Sequence, residues 1–532
     1  MCKEVNKDIH PHKTIDIAGI LEKFGQYQMW QYFLICLPTI FVSMTNVNYV
    51  FVAGEVNHRC RVPECESTNP VFSPNWWPDS AIGSCVKPIL NLTSLENDSV
   101  CTNTSFTASL EKCTDLMYEN NDTIVAEFNL GCEPFKVSFV GTIRGIGSII
   151  AVVVAGWMSD RFGRKPTIIL GAVACVLGNL KVLARYEVYL FIEFLEAAIA
   201  LAVYTAGPVL MSESSTSKTR TLAGVLFAYS VYMGEALLAC AAMGLPYWKH
   251  LLHVICSPPL LFISYILIMD ESLRWQIITG RLDKARITLQ RIMQINKFEY
   301  ENGKVENITD DEIRKALNVN EGEKKEGTKD IFKSKLIVIR LVAGTIWRLS
   351  VSFIYYTLVV NSVYLPGNKY TNFLLSALTS FPGELFSMYL MNKFGRRKPL
   401  MAGFLVCGAT CIASSYVPND LTWLKILLFL IGKLLASASF TASVVYTLEL
   451  FPTSVRGFCS GICTLAACVG TMLAPLTPAL SAVSPILTSF CIGLLSVVSF
   501  TLLFTTPETH GKALSNTIEE ITAERRKEAN SP

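Results

Sequence analysis

GWMSDRFGRK at residues 156–165 and MYLMNKFGRR at 388–397 are two copies of one pattern, an apolar segment that ends in Phe-Gly-Arg and a second base, set 232 residues apart. Two further pairs repeat in the same order. Glu213, seven residues before Arg220, matches Glu449, seven before Arg456, at an offset of 236, and Glu271 in DESLRW matches Glu508 in PETHGK at an offset of 237. Single Glu-to-Arg spacings arise by chance, but an ordered set of three at nearly constant offset means two related halves.

The chain around these motifs is apolar. Of its 532 residues 51% are hydrophobic and only 17% charged, and 27 of the charged residues fall between 270 and 335. That profile excludes an ordinary soluble enzyme. A net charge of +3, with bases in short clusters matched by acids, excludes nucleic acid as the partner. A bilayer core takes about 20 apolar residues per helix, since lipid offers no partner to a backbone N–H or C=O. In those units the sequence predicts spans over 30–53, 137–158, 166–185, 188–210, 221–243 and 251–269, then 337–361, 371–391, 399–417, 422–445, 457–479 and 484–505. The expected fold is an all-α membrane protein of twelve transmembrane helices in two six-helix halves, 30–269 and 337–505. Six spans return the chain to its starting side, so the halves run parallel about an axis along the membrane normal, with a substrate site expected between them at mid-membrane.

Orientation follows from the bases. Arg161, Arg164 and Lys165, and Lys393, Arg396, Arg397 and Lys398, occupy short loops and place those loops in the cytoplasm, together with residues 1–29, 270–336 and 506–532. The start of the chain has no apolar run near residue 10 and no small-residue cleavage site, so it does not read as a removable signal peptide. The segment 55–136 then lies outside the cell. It carries four glycosylation sequons, at Asn91, Asn97, Asn103 and Asn121, and six cysteines, Cys60, Cys65, Cys85, Cys101, Cys113 and Cys132. An even number of cysteines in an oxidising compartment predicts three disulfides among 15 pairings that sequence does not resolve. Paired CxxC spacings with histidines are missing, which argues against a metal site. The amphipathic run RLDKARITLQRIMQI at 281–295 predicts short helices beneath the bundle.

The residues resemble those of the major facilitator superfamily and, within it, the organic cation, carnitine and organic anion transporters of solute carrier family 22. The resemblance covers the whole chain and rests on SDRFGRK at 159–165, YTLELFPTSVRG at 446–457, IGK at 431–433, the pair Tyr355 and Tyr356, and EFNLGC at 127–132. It implies an inner gate of Asp160, Arg161, Gly163, Arg164, Glu213, Arg220, Arg396, Glu449 and Arg456 that closes when the site faces outward and parts when it faces inward. Asn392 stands where the repeat would place a second Asp160, which predicts a weaker gate on that side. The bland alternative is that these bases only set orientation.

Ionisable residues inside spans are costly and are functional candidates by default. Here they are Arg144, Lys181, Glu193, Glu196, Glu235, Arg348, Glu384 and Lys433, of which Lys181, near a span end, is expected to snorkel. Two readings stay open for each: a structural ion pair, or contact with substrate or coupling ion. Tyr355 and Tyr356, in the middle of their span, are expected to line the cavity, where a ring face holds an ammonium group. Tyr204, Asn46 and Asn48 follow. In relatives, the position twelve residues after the arginine that here is Arg456 often carries aspartate for cations or arginine for anions; here it is Cys468.

Both signs of charge are available, so the expected substrate is an organic cation or a zwitterion, such as carnitine, carcinine or β-alanine, with an organic anion as the alternative. The chain has no GxxxxGK[ST] loop for an ATP-driven pump, and its six histidines sit in no GxSxG or HExxH setting for a hydrolase. No cofactor is implied. A receptor or channel would also suit twelve spans, but parallel halves with gate motifs favour alternating access in the plasma membrane, with or without a coupling ion or exchanged counter-substrate.

Overall fold

The computed structural model describes residues 24–66, 70–77, 85–90, 101–102, 105–215, 219–297, 328–511 and 517–521. Asn91, Asn97 and Asn103 lie outside them, while Asn121 is exposed. The first half comprises α1 (Gln26–Val52), α2 (Pro134–Phe162), α3 (Arg164–Leu183), α4 (Tyr186–Glu213), α5 (Arg220–Gly244) and α6 (Trp248–Ile268). The second comprises α7 (Lys335–Tyr364), α8 (Lys369–Phe394), α9 (Arg397–Tyr416), α10 (Thr422–Leu450), α11 (Arg456–Val483) and α12 (Ile486–Leu503). Eleven of these helices are long and apolar enough to cross a membrane. The twelfth, α8, is 26 residues long but carries Glu384 and a series of serines and threonines, which lowers its apolar content. Its polar groups face protein: Asn372, Ser376, Ser380, Glu384 and Ser387 are all buried.

The ends of the helices follow local chemistry. Pro134 opens α2 in its first turn, where a missing N–H costs nothing. Gly163 and Gly395 close α2 and α8 at φ +117° and +89°, a backbone conformation that L side chains rarely adopt. A Cβ on Gly163 would stand 2.1 Å from a Glu271 carboxylate oxygen, and one on Gly395 2.7 Å from Glu508. The repeated Gly-Arg corner thus exists to let a carboxylate lie against the backbone. Short helices Leu273–Ile278 and Leu282–Ile295 follow the first half, as the 281–295 pattern predicts. Trp275 pins them by donating from Nε1 to the Asp160 carbonyl, 2.9 Å away.

The two halves share one apolar cluster at the end that carries the 55–136 segment, here termed the outer end. It joins Tyr49, Val50 and Phe51 of α1 to Val359, Val360 and Phe373 of α7 and α8. Glycines let α2 and α11 touch there: a Cβ on Gly141 would meet Pro475 at 2.6 Å, and one on Gly145 would meet Met472 at 2.4 Å. Toward the inner end, Gly156 of α2 and Gly457 and Gly461 of α11 have nothing within 4 Å of a Cβ. The apolar clusters there belong to one half each. The halves are closed outside and diverge inside.

Over the outer end sits a small domain. Strand β1 (His58–Cys60) pairs antiparallel with β4 (Leu116–Tyr118), and β2 (Val86–Leu90) with β3 (Phe106–Lys112). Three disulfides, Cys60–Cys113, Cys65–Cys101 and Cys85–Cys132, take up all six cysteines. At its centre Arg59 is fully buried, bonded to Glu66 at 2.6 Å and stacked near the rings of Trp76 and Trp77. Glu127 anchors the domain to α6 by accepting from Trp248 Nε1 and Lys249 Nζ at 2.9 and 2.6 Å. Cys85–Cys132 ties the β2 hairpin to the start of α2, so it is the bridge between domain and bundle. Losing a native disulfide costs about 2–5 kcal/mol, and Cys85→Ser is expected to reduce surface delivery several-fold, read by surface biotinylation. Parent-like delivery would show that the domain holds without this bridge.

Candidate functional site

Buried charges fall into two groups that differ in how they are compensated. In the first, Arg144 of α2 bonds Glu193 at 2.7 Å and Glu196 at 3.3 Å, both on α4, while Lys181 pairs with both acids, reaching Glu196 at 2.5 Å. Asn46 and Thr45 of α1 accept the remaining guanidinium hydrogens at 3.4 and 3.3 Å. Two bases and two acids, all essentially inaccessible, make a neutral set. Lys181 therefore does not snorkel. The last part of α3 winds as a 3-10 helix, Cys175–Leu183, and carries Lys181 to the α4 carboxylates instead of the surface. Glu193 and Glu196, three residues apart, share one helix face, which is how they take two cations together.

The second group lies where the halves meet. Tyr355 of α7 donates to Glu235 of α5 at 3.3 Å, and Tyr232 of α5 donates to Glu384 of α8, also at 3.3 Å. Thr441 of α10 donates to Glu384 at 2.5 Å, and Ser437 contacts the Tyr232 hydroxyl at 3.2 Å. Lys433 of α10, with no exposed surface, sets its Nζ 3.4 Å from the centroid of the Tyr355 ring. That ammonium has no hydrogen-bond acceptor among the described residues. Arg348 of α7 donates to Ser443 at 3.0 Å and stacks 5.4 Å from the centroid of Phe440, which packs against Tyr355 at 5.4 Å. Among the described residues neither base has a carboxylate within ion-pair distance. Both acids are held by neutral hydroxyls.

Tyr356 packs edge-on to Tyr355 at 5.3 Å, and Cys468 is half-buried within the electrostatic reach of Arg348. Tyr204 packs against Phe227 within the first half. Asn48 is fully buried and its side-chain amide has no partner among the described residues. Tyr232, Ser437, Thr441, Phe440 and Ser443 escape sequence reasoning. The signal for some of them is present in α10, where Lys433, Ser437 and Thr441 follow at four-residue steps on one face of an otherwise apolar helix.

At the inner end each half forms its own copy of the repeated Gly-Arg corner. Arg164 bonds Glu213 twice at 3.2 Å and Asp160 at 3.2 Å, with Asp160 largely exposed. Arg396 bonds both oxygens of Glu449 at 3.2 Å, and Thr509 donates to Glu449 at 2.8 Å. Arg456 donates to the Phe451 carbonyl at 3.3 Å, and Arg161 stacks near Trp157. Arg220 opens α5. The ion pairs made by Arg164 and Arg396 lie within a half, the arrangement expected of a parted gate.

A helical membrane protein whose two similar halves enclose buried, incompletely paired charges is a transporter of the major facilitator class. A profile of the family described as "Sugar (and other) transporter" matches residues 102–521, and the chain belongs to that family. It is similar, at 29% identity over 95% of its length and 94% of the relative's, to "Organic cation transporter protein" of Drosophila melanogaster. "Solute carrier family 22 member 2" of Homo sapiens is 28% identical over 95% of each chain. "Solute carrier family 22 member 6" of Oryctolagus cuniculus is 26% identical over 94% and 93%. Among solved structures, the inward-open xylose transporter XylE from E. coli covers 93% of this chain and 99% of its own at a TM-score of 0.60 and 16% identity. The chain is thus a multi-pass membrane protein of a transporter family, similar over nearly its whole length to members of solute carrier family 22.

The repeated carboxylates beneath the gates have unequal environments. Burial raises the Glu271 carboxyl above its ordinary value of 4.5, against N–H bonds from Ser272, Lys165 and Arg164. At Glu508 burial acts the same way, but N–H bonds from Arg396, His510, Arg397 and Thr509 outweigh it and hold the carboxyl lower. A depressed carboxyl stabilises the fold above its unfolded pKa, and that contribution is lost as pH falls through the folded value. A raised one opposes folding while ionised. Glu508→Gln is therefore expected to cost about 1–2 kcal/mol, and Glu271→Gln less, in thermal unfolding at neutral pH. A larger loss for the Glu271 variant would reverse this order.

Proposed function

We propose that the chain carries small zwitterionic organic ions across the plasma membrane by alternating access, with its termini in the cytoplasm. The observation that carries this reading is Lys433, a buried ammonium without a hydrogen-bond acceptor among the described residues, at the meeting of the two halves. Arg348, with one neutral partner, stands on the same aromatic wall. A substrate carboxylate supplies what both bases lack. Across the interface Glu384 and Glu235 accept, among the described residues, only from hydroxyls, so a substrate ammonium group finds an acid with no protein cation at contact distance.

The mechanism follows from where these groups sit. Lys433, Arg348 and Glu384 belong to the second half and Glu235 to the first. A substrate held between them draws the halves together, which stabilises the occluded state relative to either open one, and flux depends on that difference. The inner gate then closes by bringing the Arg164–Glu213 and Arg396–Glu449 corners together, while α2 and α11 separate at Gly141 and Gly145. Names among the relatives include both organic cation and organic anion transporters, so the family admits either sign. The organic anion reading is the second, favoured by the greater shortage of partners around the bases than around the acids.

Uptake into cells expressing the chain decides between them. Labelled β-alanine or carnitine, each carrying both charges, is expected to enter above background; entry of carcinine, which has no carboxylate, in their place would replace the zwitterion reading with the cation one, and entry of p-aminohippurate alone with the anion one. For an entering carboxylate, Lys433→Ala and Arg348→Ala are each expected to raise KM by roughly ten-fold or more, with surface amount retained. Lys181→Ala leaves two buried acids with one base. Breaking such a set costs about 3–5 kcal/mol, so this variant is expected to lose surface protein instead. An unchanged substrate profile in Lys433→Ala would move that residue to a structural role.

A further inference from the structure

Outside the central site, the outer end contains two adjoining clefts of about 390 Å³ each that share Glu55, Tyr364, Pro478 and Ala482. The first lies between the halves and beneath the disulfide-bonded domain. Its walls are Tyr49 of α1, Leu130 of the domain, Val137 of α2, Val360 of α7, and Pro475 and Ala479 of α11. The second enters the second half among Thr357, Ser481 and Thr488, with Lys425 among its lining residues. A volume of this size suits a small organic ligand.

The chemistry of the first cleft is that of a cation site. Glu55 is exposed and forms no ion pair among the described residues. The Tyr364 phenol stands close enough to Glu55 to feel its charge, and Tyr49 adds a second aromatic ring. The remaining charged or titratable neighbour, His58, has its Nδ1 3.2 Å from the Val56 carbonyl and its Nε2 facing the Cys85–Cys132 bridge. An ammonium group with apolar arms is matched by one carboxylate, two aromatic rings and aliphatic walls. Thr357, buried in the second cleft with its hydroxyl unpartnered among the described residues, gives a longer ligand a polar contact.

We propose that a small apolar ammonium ion entering from the outer side binds this cleft between Glu55 and Tyr364 and holds the outer end of the transporter closed. The walls come from both halves and from the domain, so the site exists only while Gly141 and Gly145 of α2 lie against Pro475 and Met472 of α11. A ligand that binds one state alone shifts the population to it. Saturating substrate on the outer side does not relieve such inhibition, because each turnover delivers the carrier to the outer-closed state in which the ion holds it. The inhibitory part rests on the transport reading above; the binding part does not.

The test uses the purified full chain in detergent, tetrabutylammonium as the probe, and butanesulfonate as a control of opposite charge. Tetrabutylammonium is expected to raise the thermal unfolding midpoint of the parent, and butanesulfonate is not. Glu55→Gln, which removes the charge, and Ala482→Phe, which fills the shared part of the clefts from an exposed position, are each expected to need roughly ten-fold more probe for the same shift. No shift in the parent, or equal shifts in all three proteins, would overturn the proposal. In cells, external tetrabutylammonium is expected to lower the maximal uptake rate of the parent and to spare the Glu55→Gln variant. Full relief of inhibition by excess substrate would overturn the lock. A probe-dependent shift lost in both variants supports the site even if no substrate enters, an outcome that would sink the transport reading alone.

Discussion

A charge in the middle of a membrane is stable only beside its opposite, and the four-residue set of Arg144, Lys181, Glu193 and Glu196 meets that constraint completely. It ties α2, α3 and α4 together through side chains, and Asn46 and Thr45 extend it to α1. Where the halves meet the same constraint is deliberately unfulfilled: Lys433 rests on an aromatic ring, Arg348 on a serine, Glu235 and Glu384 on hydroxyls. The contrast separates charges that are compensated within one half from those that the proposed function leaves for a substrate.

The gate motifs work through glycine as much as through charge. Gly163 and Gly395 let Glu271 and Glu508 lie against the chain, where each carboxylate accepts backbone N–H bonds from the residues that follow. The arginine side chains of the same corners are thereby aimed at Glu213 and Glu449. Gly141 and Gly145 do the corresponding work at the outer end, by contact instead of charge. The outer end is therefore closed by packing between the halves, whereas the ion pairs at the inner end each lie within one half and are the contacts that salt and charge substitution reach.

Much of this is legible in the sequence. The repeated corners, the twelve apolar stretches and the six cysteines are local or periodic signals, and each reads directly from residue spacing. Every charge in the two buried groups within the helical bundle is also visible as a charge inside a span. Which charges pair is not legible, because the partners are far apart in sequence: Arg144 meets Glu193 across 49 residues and Tyr355 meets Glu235 across 120. Lys181 misleads because its place near a span end says nothing of the 3-10 winding that turns it inward. The disulfide pairing needs the long-range β1–β4 register as well as the cysteine count, since Cys60 lies opposite Leu116, three residues from its partner Cys113.

The position of Lys433 has a consequence for selectivity. Its ammonium already sits on the Tyr355 face, so that ring carries a tethered competitor whose effective concentration is far above that of any dissolved amine. A simple cation must evict this competitor and leave it buried without a partner. A zwitterion brings the means of removal with it, since its carboxylate draws the lysine off the ring as its own ammonium arrives. On the transport reading proposed above, the arrangement works as a threshold: a cation without a carboxylate meets it in full, and a substrate that brings a carboxylate lowers it for itself.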